Sequence, residues 1–380
     1  MKKKWIKRML IGGLTLIGVM ALGIFIYMQQ PKFGRHPRGA RLERIQKSPY
    51  YKDGQFQNQI PTTVNTEGVS SFEMLWNFFF GDKSRRTPPG PIPSVKRKLH
   101  ELDASRDVLV WFGHSSYFIQ TGGKRILVDP VFSRAASPVS FTTKAFAGSN
   151  VYAADDLPDI DYLIITHDHW DHLDYETVLK LKPKVGKVIC SLGVGEHLEY
   201  WGFNPEQILE MQWNEDLSPE AGIEVHCLTA RHFSGRGLVR NRSLWASFLM
   251  ETPTLRFYVG GDSGYGPHFA EIGKRFGKID LAILEDGQYD LHWKNIHLMP
   301  EEGLKAAADL NTRRLLPVHN SKFCISNHDW NDPMRRIVKG ERSPDLILLT
   351  PIIGEIVDIR DDAHVFPQWW ESVTGKETGK

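Results

Sequence analysis

Six consecutive residues, His167-Asp168-His169-Trp170-Asp171-His172, constrain this chain more than any other stretch. They follow a short apolar run at 162–165 that reads as a buried strand. Imidazole nitrogens and carboxylate oxygens are the donors of a borderline divalent ion such as zinc. From one tight loop His167 and His169 can face one ion, while Asp171 and His172 face a second beside it. The plain alternative is a polar loop of solvated histidines, and three His and two Asp in six residues after a strand weigh against it.

One loop cannot complete two metal sites, so further donors must come from elsewhere. His232 follows an apolar run at 223–228, Asp262 follows one at 255–259 inside a Gly-Gly-Asp-Ser-Gly turn, and His319 follows one at 315–318. All therefore lie just past expected strand ends, where loops build sites on a rigid sheet. Further runs at 108–112, 117–121, 126–128, 188–191, 281–284 and 346–349 also read as strands. Residues 175–182, 195–201, 269–276 and 301–310 read as helices, the last with Pro300 before it and two Glu in its first turn. The expected class is α/β with many short strands.

The metal phrase and its companions resemble the metallo-β-lactamase superfamily over roughly residues 107–366. The closer likeness is to the branch of N-acyl-phosphatidylethanolamine-hydrolysing phospholipase D. It is carried by WFGHSS at 111–116, ILVDPVFS at 126–133, RAAS at 134–137, HDHWDHLDY at 167–175, GDSGY at 261–265, EIGKRFG at 271–277 and HLMPEE at 297–302. The resemblance implies an αβ/βα sandwich of two mixed sheets flanked by helices. It also implies two zinc ions, one held by His167, His169 and His232 and the other by Asp171, His172 and His319, with Asp262 and a hydroxide bridging them. Asp262 and His297 are then the expected catalytic pair, His297 lying near a substrate phosphate, and Asp129 is expected to hydrogen-bond a ligand histidine and fix its tautomer. His114 fits the family phrase equally well as a core or as a functional histidine. Two segments depart from the pattern: Glu285-Asp286-Gly287-Gln288-Tyr289 stands where a Pro-Ile-Gly-Ala-Tyr-like phrase is usual, and Asn320-Ser321 follows His319 in place of Trp-Gly.

The N-terminus has a different character. Residues 9–28 carry no charge and are long enough to cross a bilayer core. Lys2, Lys3, Lys4, Lys7 and Arg8 precede them, and no small-x-small cleavage pattern closes the run, so an uncleaved single-pass anchor is expected. The basic tail favours N-inside and a body on the extracytoplasmic side. Residues 1–47 hold eleven Lys/Arg and one acid, a local charge of +10 that leaves −8 on the rest. An acidic body argues against a nucleic-acid partner. The basic cluster at 32–47 is expected to lie on anionic headgroups or to be a solvated linker. Expected divisions are 1–30 for tail and anchor, 31–105 for a linker and extension, 106–366 for the hydrolase domain and 367–380 for a tail. The aromatic stretch 72–80 reads as a strip packing on the body rather than an amphipathic piece near the membrane, and Trp369-Trp370 as a packing cap or a membrane-interface contact rather than a substrate box. Cys190, Cys227 and Cys324 give no disulfide framework and no metal knuckle.

The expected function is a membrane-anchored zinc phosphodiesterase of phospholipase D type, with a membrane lipid as substrate. Hydrolysis of carboxylic esters, lactones or β-lactams on the same metals is the first alternative. A non-catalytic, membrane-tethered metal-binding protein is the second.

Overall fold

The computed structural model describes residues 2–66 and 84–375, together with 68, 70, 72, 76 and 80–82. Helix α1 (Lys2–Met28) is exposed along its apolar length and packs on the body only through its last turn. It is the one described helix long and apolar enough to cross a membrane, a property shared by spans and signal sequences. Helix α2 (Gly39–Gln46) and a small hairpin, β1 (Tyr51–Lys52) with β2 (Gln55–Phe56), follow it.

The next six strands are β3 (Val108–Trp111), β4 (Tyr117–Thr121), β5 (Lys124–Val128), β6 (Ile160–Ile165), β7 (Val185–Ser191) and β8 (Ile208–Met211). They are joined at the edge by the late strand β16 (Ile356–Asp358), in the order β16-β3-β4-β5-β6-β7-β8. The second sheet has β9 (Glu215–Glu220), β10 (Ile223–Leu228), β11 (Ser247–Glu251), β12 (Arg256–Val259), β13 (Leu281–Glu285), β14 (Arg314–Val318) and β15 (Ile347–Leu348), in the order β15-β14-β13-β12-β11-β10-β9. Each sheet is antiparallel on one side and parallel on the other. The parallel pairs are β5–β6–β7–β8 in the first and β12–β13–β14–β15 in the second.

Trp111, Tyr117, Ile164, Phe248, Phe257 and Leu316 belong to one core between the facing sheets. Helices α3 (Tyr175–Leu181) and α4 (Gly195–Tyr200) cover the outer face of the first sheet, and α5 (His268–Phe276), α6 (Pro300–Asp309) and α7 (Asp332–Lys339) cover that of the second. Cover on both faces explains why β3, β6 and β14 read as near-continuous apolar runs rather than as alternation. The result is the expected sandwich of two mixed sheets flanked by helices.

The basic cluster departs from both expectations. Arg41 reaches Glu196, Glu199 and Glu210, Arg35 reaches Glu196, and Arg44 reaches Glu215, so these arginines are bound to carboxylates of the body. Trp369 and Trp370 are buried, as expected of a packing cap. The aromatic stretch is different. Phe72, Trp76 and Phe80 are exposed, Trp76 contacting the other two rings, and the other members of the stretch lie outside the described residues.

Candidate metal centre

Polar side chains gather where parallel strands of the two sheets end. The end of β5 delivers Asp129, the end of β6 delivers His167–His172, and the ends of β12, β13 and β14 deliver Asp262, Glu285 and His319. Carboxyl ends of parallel strands are where open α/β sheets leave a crevice for ligands. The turn carrying Asp262 needs glycine. Gly261 adopts φ +59°, and a Cβ on Gly260 would lie 2.8 Å from the Ile283 carbonyl oxygen.

One group of donors is His167, His169, His232 and Asp262. Nδ1 of His169 lies 2.9 Å from Nε2 of His167 and 3.2 Å from Nε2 of His232. Oδ2 of Asp262 completes the group at 3.9 Å and 3.7 Å from those two Nε2 atoms. A second group is His114, Asp171, His172 and His319, and a third, Asp262, Glu285, His297 and His319, overlaps both through Asp262 and His319. Oδ2 of Asp171 stands 2.9 Å from Nε2 of His114, 3.2 Å from that of His319 and 3.7 Å from that of His172. Asp262 lies between the first two groups, its Oδ1 at 3.2 Å from His172 Nε2 and its Oδ2 at 3.4 Å from His319 Nε2. His172 Nε2 and Asp262 Oδ1 are buried and make no hydrogen bond. Converging imidazole nitrogens with unsatisfied buried acceptors are costly unless a cation is shared among them, and both groups fit divalent ions.

Electrostatics follows from burial and proximity. Burial pushes the His167 and His232 imidazoles well below their ordinary value, and His169 to about 4. Burial also works against the charge on Asp171 and Asp262, but the surrounding histidines, His172 foremost and His319 with it, together outweigh it and both carboxyls sit well below the usual range. His172 and His319 go the other way. Against the penalty of burial, Asp262 raises both, His319 to about 10.

Neighbours orient these donors. Asp129 accepts from the Thr166 N–H, the Thr166 hydroxyl and His172 Nδ1, the last at 2.8 Å. His232 Nδ1 meets the Ile296 carbonyl at 2.9 Å. Asp168, inside the motif, turns away from the metal groups. It accepts from the Gly235 N–H and the Ser243 hydroxyl and lies 3.2 Å from His197 Nε2, which pins the loop to its neighbours. Asn58, from the N-terminal extension, exchanges hydrogen bonds with both backbone groups of His232.

His297 lies at the edge of the centre and is only partly exposed. Its Nδ1 is 2.6 Å from Glu285 Oε2 and 4.0 Å from Asp262 Oδ2. Glu285 also accepts from the Ser263 N–H and approaches His319 Nδ1 at 3.3 Å. Sequence reasoning assigned no role to Glu285, although it noted that this segment departs from the pattern. The available signal was a carboxylate at the end of a strand adjacent to the one bearing His319. His114, whose sequence phrase fits a core and a functional histidine equally well, contacts Asp171 and lies within 4.2 Å, ring to ring, of His319.

Comparison with known proteins agrees with this architecture. The model of the beta-lactamase superfamily domain matches residues 124–320. An uncharacterized protein of Mycobacterium tuberculosis is 35% identical over 329 residues, which cover 86% of this chain and 88% of that protein. An N-acyl-phosphatidylethanolamine-hydrolyzing phospholipase D of Caenorhabditis elegans is 28% identical over 269 residues, 66% of this chain and 75% of that one. Among solved structures, a possible metal-dependent hydrolase from Veillonella parvula superposes with a TM-score of 0.53 at 16% identity, covering 67% of this chain and all of the other, a likeness of fold alone. With the sandwich, the strand-end donors and these matches together, the chain belongs to the metallo-β-lactamase superfamily of metal-dependent hydrolases and has relatives among the N-acyl-phosphatidylethanolamine-hydrolysing phospholipases D.

Proposed function

We propose that this protein is a membrane-anchored phosphodiesterase of phospholipase D type that uses two zinc ions and cleaves the headgroup ester of a phospholipid, N-acylated or plain. The observation that carries the reading is Asp262, whose two oxygens face the two donor groups. His167, His169 and His232 would hold one ion, and Asp171, His172 and His319 the other. When bound, a pair of divalent ions supplies a water acidic enough to act as nucleophile at neutral pH and charge that offsets the developing phosphorane.

The chain's own groups supply the rest. Asp262 fixes where the attacking oxygen stands. Glu285 engages His297 at Nδ1, which leaves Nε2 as the atom that meets substrate. From there His297 can steady a phosphoryl oxygen or hand a proton to the departing alcohol. The relatives named as phospholipases support phosphorus over carbon as the centre attacked. The test is full-length protein in nanodiscs loaded with N-acyl-phosphatidylethanolamine or phosphatidylethanolamine. We expect zinc-dependent appearance of phosphatidate and the free alcohol in equal amounts, lost in Asp262→Asn. Zinc-loaded protein that releases neither product, yet opens a lactone or β-lactam, overturns the phospholipase reading.

A further inference from the structure

The last turn of α1 does not leave the body on a free tether. The Tyr27 hydroxyl donates to the Pro138 carbonyl, and Lys32 Nζ donates to the same oxygen. Phe33 packs edge-on against Trp170, inside the metal motif, at 5.1 Å. Arg236 stacks at 4.0 Å on the same Trp170 and donates to the Lys32 carbonyl. A cavity of about 400 Å³ lies between this exit and the loop after His232, lined by Met28, Phe33, His36, Leu238 and Val239 among others.

Two loops flank that exit, and both expose apolar side chains outward. Leu238 is 84% exposed and Val239 43%, on the loop that passes Met28; Phe141 is 75% exposed, on the loop that Tyr27 and Lys32 hold. Singly exposed apolar residues are ordinary. Here they surround the point where an apolar helix ends, and exposed Arg240 and Arg242 follow the Leu238-Val239 tip. An apolar tip beside arginines suits the boundary between acyl chains and anionic headgroups. The loop also leads to the metals. Arg240 covers the Phe233 ring at 4.9 Å, and that ring lies 4.4 Å from His169.

We propose that residues 235–242 and Phe141 form a lip that dips into the leaflet from which α1 emerges, so that a lipid reaches the metal centre over Phe233 without leaving the membrane surface. The proposal rests on the reading of α1 as a membrane span. A span ending at Met28 puts whatever touches Tyr27 and Met28 at the depth of the interface, where tyrosine is at home.

The test places an environment-sensitive nitrobenzoxadiazole label on single cysteines of the full chain in phosphatidylcholine–phosphatidylglycerol nanodiscs. Cys324→Ser is the background, because Cys190 and Cys227 are buried. Leu238→Cys and Phe141→Cys report the lip, Ile17→Cys reports the anchor, and Val365→Cys, 85% exposed and far along the chain, reports bulk water. We expect blue-shifted emission at 238 and 141, quenched by lipids carrying doxyl groups and resistant to iodide, as at 17 and unlike 365. Iodide-quenched, unshifted emission at 238 and 141, with 17 still quenched by doxyl lipid, overturns the lip and leaves the anchor standing. Escape of 17 from doxyl lipid removes the anchor and the lip together. None of these readouts depends on turnover, so the proposed reaction stands or falls separately.

Discussion

Asp129 shows how much of a metal centre can depend on one group that need not touch metal. Its carboxylate is buried and its backbone adopts φ +40°, a region that aspartate enters more readily than a branched residue. It accepts a hydrogen bond from each of three donors: the Thr166 N–H, the Thr166 hydroxyl and His172 Nδ1. A donor at Nδ1 leaves Nε2 of His172 as a lone pair, which is the form that can bind an ion. Asn at 129 keeps the shape but turns one acceptor into a donor. Facing the Thr166 hydroxyl and His172, that amide favours the tautomer with its proton on Nε2. We expect Asp129→Asn to fold and to bind zinc about 10–100-fold more weakly. Chelator competition measures this, with circular dichroism as the check on folding. Unchanged affinity would show that His172 takes its tautomer from elsewhere.

Among the elements, α2 is the one whose role depends most on distant partners. Its arginines complement carboxylates on α4, on β8 and at the start of β9, more than 150 positions away in the chain. Arg41 is mostly buried and bridges Glu196, Glu199 and Glu210, and this contact raises its already high pKa further against the penalty of burial. Removing it leaves Glu196 with Arg35, and Glu210 with the N–H groups of Gly193 and Gly195. The loss is therefore smaller than for a stranded buried charge. We expect Arg41→Ala to destabilise the body by about 2 kcal/mol, read as a lower thermal midpoint, and to speed proteolysis within 31–47. Nothing local announces this helix. Gly-Ala-Arg-Leu-Glu-Arg-Ile-Gln is short and polar, and its partners lie on a helix and two strands far along the chain. Strand β9, Glu-Asp-Leu-Ser-Pro-Glu, escapes a sequence reading for the related reason that a polar sheet edge has no apolar run. Most of the buried strands are legible because cover on both faces demands apolar residues throughout, and their sequence ranges agree with the structure to within a few residues; β11, equally buried, has no counterpart among the sequence ranges. The metal donors are legible because histidine is rare and clusters stand out. Glu285 is not, since a single glutamate at a strand end looks like any other until the fold brings it to His297 and His319.

For the whole molecule, metal and protons compete for the same imidazoles, and the competition sets how stability varies with pH. His169, and His268 outside the centre, are held near 4 by burial, whereas the unfolded chain protonates histidine near 6.5. For such groups the unfolded state binds more protons below 6.5. Their contribution is complete above 6.5 and is lost as pH falls toward 4, with or without metal. His319 has the opposite sign in the metal-free chain. Burial opposes its charge, but Asp262 and Asp171 hold it up to about 10, so its contribution is present below 6.5 and is lost as pH rises toward 10. His172 is raised in the same sense. Away from the donor set, burial raises Asp286 to about 8, which costs stability as pH rises from about 4 to 8, and lowers Lys322 to about 7, which restores some from about 7 to 10; both act alike with zinc and with chelator and so leave the gap between the two curves unchanged. Zinc held as proposed would displace the protons of His172 and His319 and remove their alkaline penalty. From the histidines we therefore expect no loss of thermal midpoint above pH 6.5 in the zinc-loaded protein and a decline below it. The chelated protein should instead be most stable near 6.5 and weaken on both sides, so the gap between the two curves widens as pH rises. Thermal unfolding of the full chain with zinc and with chelator, across a pH series, measures that gap. A gap that stays constant from 6.5 upward would mean that no protons leave His172 and His319 when metal binds.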